Sequence, residues 1–166
     1  MRPSALEVAR YMLYLSYKSG DLITNLKLQK LLYYAQAWYL VKNNGEKLFD
    51  DEIEAWQYGP VIRSVYDAYK CFGRNPINDE AMSDKFDLPE KVQKHIARVL
   101  KEYMDYSASH LVNAIHQDMP WQDAYSKNEP IKTETMYDFY KTMFVNYSDL
   151  SKECDTPIEE CSDSLT

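Results

Sequence analysis

Residues 26–40 read LKLQKLLYYAQAWYL, and the periodicity of this stretch sets the class of fold. Leu28, Leu31, Leu32, Ala35, Trp38 and Tyr39 recur at i, i+3 and i+4 spacing, which is the mark of a helix face. Thr24 or Asn25 can cap the start, and Asn43-Asn44-Gly45 stops the pattern. Apolar residues cover more than half of the circumference, so the helix is expected at the centre of the fold. Lys27, Gln29, Lys30 and Tyr33 interrupt that apolar surface. Nothing in helix formation demands Gln29 and Lys30 there; they either hydrogen-bond Tyr58 or a loop carbonyl, or contact a partner. The apolar run at 28–41 contains Gln29, Lys30 and Gln36, and at about 14 residues it is too short and too polar to span a bilayer.

The flanking sequence extends the helical reading. Residues 4–18 place Leu6, Ala9, Met12 and Leu13 on one stripe, with Ser4 and Glu7 at capping-box spacing and Gly20-Asp21 as the stop. Residues 47–57 change period and suggest one or two short strands. Tyr58-Gly59-Pro60 follows, and Pro60 suits the first turn of a helix over about 61–72. Trp56 and Tyr58 each combine large apolar area with a polar handle. The group is therefore read as a rigid strand-to-helix corner, the alternative being that the same corner borders a partner groove. That helix would turn Val61, Val65, Ala68, Tyr69 and Phe72 inward. A polar connection at 73–87 leads to helices at 89–105, at 108–117 capped by Ser107, and at 134–147 capped by Thr133. The last presents Met136, Tyr137, Tyr140, Met143 and Phe144. His116, Pro120 and Trp121 form a tight corner between the final two helices. The expectation is a mainly α fold, a single domain over 1–148 of about six helices with a small β element near 48–57. The acidic, Ser-rich segment 149–166 is read as a disordered tail.

Composition narrows the function. The 166 residues carry a net charge of −7, which argues against direct nucleic-acid binding driven by phosphate neutralisation. The charge is uneven: residues 1–40 hold five basic side chains against two acidic, leaving room for a local basic surface. Three cysteines, Cys71, Cys154 and Cys161, show no CxxC pairing, consistent with reduced thiols. Arg2-Pro3-Ser4 opens the chain without a secretory pattern, so a cytoplasmic location is expected. Fifteen tyrosines are an ample supply of amphipathic side chains.

Signals for chemistry are weak. One glycine without a following Gly-Lys-Ser or Gly-Lys-Thr does not make a phosphate loop. His116 and Asp118 invite an acid–base reading, but no Ser, Cys or second His stands at motif spacing. The simpler reading is that His116 caps a helix end or bonds a carbonyl near Trp121. His95, His110 and His116 lack the spacing of a metal site, and no cofactor is expected. The acidic cluster Asp50, Asp51, Glu52 and Glu54 lacks the calcium-loop pattern. It reads as a solvated face, or as an attractor for a basic partner.

Three motifs together resemble the Panacea domain, the family of SocA-like antitoxins and phage-associated GepA-like proteins. They are LKLQKLLYYAQAWYL at 26–40, IEAWQYGPVIRSVYDAYK at 53–70 and the His-x-x-x-Pro-Trp corner at 116–121. They occur in the family's order, and the resemblance covers roughly residues 5–147. It implies a mostly helical domain that acts as the antitoxin of a bacterial toxin–antitoxin pair by binding the toxin. One branch of the family implies an adaptor that delivers its client to a cytosolic AAA+ protease. The chain carries no added DNA-binding segment of useful length, so transcriptional autoregulation is not expected. The leading expectation is thus a non-enzymatic antitoxin. A protease adaptor is the alternative, and a hydrolase or nuclease using His116 stands third. The candidate partner-binding residues are Lys27, Gln29, Lys30, Tyr33, Trp56, Tyr58, Gly59, Pro60, His116, Pro120 and Trp121. Oligomeric state is left open.

Overall fold

The central helix predicted from residues 26–40 organises the whole molecule. The computed structural model describes residues 1–78 and 84–153, with side chains described as far as Phe144. Within it α1 spans Ala5–Ser19 and α2 spans Asn25–Lys42. α2 packs against α1, the later helices α3, α4, α5 and α7, and the second strand. It is buried on nearly every side, including the polar Asn25, Gln29, Lys30 and Gln36. Buried polar groups must find partners, and these do so by gripping the chain that follows. Gln36 donates to the Phe49 carbonyl and accepts from Leu48 N–H, both at 2.8 Å. The N-terminal signals hold: Ser4 and Glu7 form the capping box, and the Thr24 side chain caps α2.

The β element lies further along the chain than expected. Strands β1 (Glu54–Trp56) and β2 (Gly59–Val61) form an antiparallel hairpin, with Trp56 opposite Gly59 and Ala55 opposite Pro60. Pro60 is therefore a strand residue, not the first turn of a helix. A strand residue's N–H and C=O point the same way, and the Pro60 carbonyl faces the Lys30 ammonium rather than β1. Its missing N–H thus falls on the outer edge, where no ladder bond is lost. The corner is a hairpin turn through Gln57 and Tyr58. Gly59, at φ +101°, supplies the backbone twist in a region that L-residues avoid. The next helix, α3 (Arg63–Tyr69), is accordingly shorter than predicted and ends in a 3-10 turn, Lys70–Phe72. Val65 and Tyr69 face inward as expected, but Ala68 is exposed.

α4 (Glu90–Tyr103) and α5 (Ala108–His116) match the sequence reading, with Ser107 capping α5. A seventh helix, α6 (Met119–Lys127), was not foreseen. His116 to Trp121 is the joint between α5 and α6, and Pro120 opens the latter, where its lack of an N–H is harmless. Only Pro120, Trp121 and Ala124 of α6 are buried, too few apolar positions to show a period. α7 (Thr133–Glu153) begins at Thr133 itself rather than being capped by it. It runs antiparallel to α2, with Tyr137 beside Gly45 and the Tyr140 ring against Tyr33, Tyr34 and Trp38. Met136 and Tyr140 are buried, whereas Met143 and Phe144 are each 44% exposed. Periodicity identified this apolar stripe but not where its cover ends. Within the expected tail, residues from Cys154 onward lie outside the described residues. Among the described residues no helix is long and apolar enough to cross a membrane.

Candidate partner-binding site at the clamped hairpin

The polar residues that interrupt α2 meet the hairpin from below. Lys30, with no exposed surface, donates from Nζ to the Pro60 carbonyl at 2.8 Å. Burial pushes its pKa down to about 7, since a low-dielectric site disfavours the ammonium. From the adjacent position, the Gln29 Oε1 accepts from Ile62 N–H at 2.9 Å. Its amide donates to Asn25 Oδ1, and Asn25 in turn donates to the Tyr66 carbonyl. The Lys30 bond thus goes to a carbonyl of strand β2 rather than to Tyr58 or a loop carbonyl.

The α5–α6 joint grips the same turn from the side. His116 Nε2 lies 2.9 Å from the Gln57 carbonyl, and Trp121 Nε1 donates to the Trp56 carbonyl at 3.0 Å. The His116 and Trp121 rings are 4.4 Å apart, and Tyr125 stacks on Trp121 at 4.8 Å. His116 is thus occupied in holding backbone. Trp56 is half-buried: its Nε1 donates to Glu54, its ring meets Tyr66 edge-on, and the Arg63 guanidinium lies over it at 5.1 Å. Arg63 also pairs with Glu54 at 3.1 Å. Of the remaining acidic cluster, Asp51 accepts from Ala5 N–H and the Ser64 hydroxyl, and Asp50 pairs with Arg2. Part of the cluster is therefore structural.

The fold brings Gln29, Lys30, Trp56, Tyr58, Gly59, Pro60, His116, Pro120 and Trp121 together around one turn. Gly59 and Pro60 are buried, but Tyr58 at the tip is 64% exposed. α6 also exposes Met119 and Tyr125, the latter stacked on Trp121. Lys27 and Tyr33 stand apart from this group. Lys27 Nζ donates to the Met104 carbonyl, tying the start of α2 to the end of α4. Tyr33 is fully buried against Tyr34 and Tyr140.

Tyr33 belongs to a buried cluster that sequence spacing could not reveal. The Tyr140 hydroxyl donates a short hydrogen bond to Asp118, and the buried Tyr33 hydroxyl faces the same pair without a well-formed hydrogen bond among the described residues. Asp118, at the N-terminus of α6, makes no side-chain cap bond. Burial pushes its pKa up to about 6, partly offset by the Tyr140 and Tyr33 hydroxyls. Asp118 had been weighed only as a partner for His116; three distant helices had to converge before its real neighbours appeared.

The sign of this shift yields a prediction. A carboxyl whose folded pKa exceeds its unfolded one binds its proton more tightly in the native state. Its contribution therefore favours folding below about pH 4 and weakens as pH rises from about 4 to about 6. At about 1.4 kcal/mol per pH unit, the charged form costs up to about 3 kcal/mol at neutrality. Asp118→Asn keeps an acceptor for Tyr140 and removes the charge. The variant should be about 1–3 kcal/mol more stable than the parent at pH 7, with the difference vanishing at pH 4. Urea denaturation at both pH values checks this; a variant less stable at pH 7 contradicts it.

These features define a class of protein: a helical scaffold whose buried polar side chains immobilise a β-hairpin and present its aromatic tip. A family model described as Antitoxin SocA-like, Panacea domain, matches residues 28–122, and the chain belongs to that family. The matched span begins in α2 and ends just after Trp121, so it takes in the whole clamp. Among curated proteins, the chain is similar to Antitoxin SocA of Caulobacter vibrioides (strain NA1000 / CB15N), at 35% identity over 112 residues. The alignment spans 60% of this chain and 58% of that relative's length. No solved structure matches the chain.

Proposed function

We propose that this protein is an antitoxin that neutralises a cognate bacterial toxin in the cytoplasm by direct, non-enzymatic binding. Membership of the antitoxin family carries this reading. The clamped hairpin supports a location for the contact. Its backbone is held by four separate side chains, while Tyr58 projects into solvent. A rigid aromatic on a fixed turn loses little entropy on binding, and tyrosine is enriched at binding hot spots. Tyr125, exposed and stacked on Trp121, extends the surface with a second aromatic side chain. The engagement of His116 with backbone favours binding over hydrolysis.

The role is tested by coexpression with the product of an adjacent toxic gene. Growth should be rescued and the two proteins should copurify; rescue without any complex would overturn direct binding. The surface is tested by Tyr58→Ala. This change should leave the melting temperature within about 2 °C of the parent, because the side chain is exposed. It should weaken toxin binding at least about tenfold, the loss expected of a hot-spot residue. Unchanged affinity by titration calorimetry would move the interface elsewhere. The adaptor alternative would use the C-terminal segment as a tether, which from Cys154 onward lies outside the described residues.

A further inference from the structure

At the other end of α2, about 18 Å along the helix axis from Lys30, a groove separates its last turn from the first turns of α4. The two helices run antiparallel. Lys27 meets Met104 at one end, while at the other Tyr39 meets His95 and lies beneath Lys91. The groove has a volume of about 470 Å³. Four cations line it, Lys42, Lys91, Lys94 and Arg98, against a single carboxylate, Glu90. Lys91, Lys94 and Arg98 fall at i, i+3 and i+7 of α4 and so share one helix face. In a chain of net charge −7, this concentration of positive charge runs against the whole.

The cations are also poorly compensated. Among the described residues only Lys94 is ion-paired, to Glu90 at 2.8 Å. Lys42, though exposed, is disfavoured as an ammonium by partial desolvation against the groove wall and by the nearby Arg98, with Glu102 opposing them. His95 on the floor is tied to the Ala35 carbonyl, and it is held neutral with a pKa near 4 by burial, with Lys42 and Arg98 adding to the effect. Glu46, near Tyr39, and Glu102, near Lys42, are further acidic groups close to the groove. Like charges held together in the free protein are relieved when an anion enters between them.

We propose that the α2–α4 groove is a docking site for an acidic peptide segment of a partner protein. An extended segment fits better than a nucleic acid, because the positive surface is one groove long and offers too few cations to neutralise a continuing phosphate backbone. The site is separate from the hairpin and does not depend on it.

The test uses the full chain and a short fluorescein-labelled poly-glutamate peptide, read by anisotropy. The parent protein should bind the peptide, and binding should weaken as salt is raised. Lys42→Gln combined with Arg98→Gln should reduce affinity at least about tenfold. Both side chains are exposed, so the melting temperature should stay near the parent's. Tyr58→Ala should bind the peptide like the parent. The proposal is overturned by absence of binding, by an unaffected double variant, or by tighter binding of a single-stranded oligonucleotide of equal charge.

Discussion

Replacing Gly59 with alanine is expected to destabilise the protein by about 2–6 kcal/mol, the sum of a backbone effect and a packing effect. At φ +101° a residue with a Cβ is strained by about 1–3 kcal/mol. The added Cβ would also lie 2.8 Å from Lys30 Cε and 3.2 Å from its Nζ. A lysine tip usually yields cheaply, but Lys30 has no exposed surface and is bonded to the Pro60 carbonyl. Displacing it leaves a buried donor and acceptor unpaired, costing about another 1–3 kcal/mol. For a chain of this size, the melting temperature should fall by roughly 10 °C. Gly20→Ala provides the control. Gly20 also has positive φ, at +81°, but its Cβ would meet open space. That variant should therefore show only the backbone strain. Equal losses at the two glycines in thermal denaturation would rule out the Lys30 contact as a cause.

Trp121→Ala should be as damaging, at about 3–5 kcal/mol, the usual range for truncating a buried aromatic. The ring is 8% exposed and lies between His116 and Tyr125, with Nε1 on the Trp56 carbonyl. Its loss removes packing and one side of the hairpin clamp together. Trp121→Phe separates the two, since it keeps most of the ring volume and loses the hydrogen bond. It should cost about 1–3 kcal/mol, including the orphaned carbonyl. Amide exchange at Trp56 to Val61 should accelerate in both variants by more than global unfolding accounts for. Exchange that merely tracks global stability would show that the clamp has no local role.

The helical framework was legible because its signals are local. The Ser4–Glu7 box, the Thr24 cap and the apolar period of α2 each act over a few residues of chain. α6 was missed for the same reason in reverse: three buried positions, Pro120, Trp121 and Ala124, cannot establish a period. Pro60 was misassigned because proline is equally at home in a first helical turn and at an unpaired position on a strand edge. Only the direction of its carbonyl, toward Lys30, decides between them. Met143 and Phe144 looked like core because periodicity reports a stripe and says nothing about what covers it.

From the sequence alone came the mainly α class, the central position of α2, the family resemblance and the group of polar and aromatic residues marked for a role. Tertiary structure decided what most of them do. Gln29 and Lys30 bond the backbone of a hairpin roughly thirty residues later in the chain, and His116 and Trp121 reach the same turn from nearly sixty residues beyond it. Tyr33 and Asp118 left that group for a buried cluster with Tyr140. Propensity and capping are set by neighbours in sequence, whereas a buried polar atom is satisfied by whatever the packed chain places within hydrogen-bond reach.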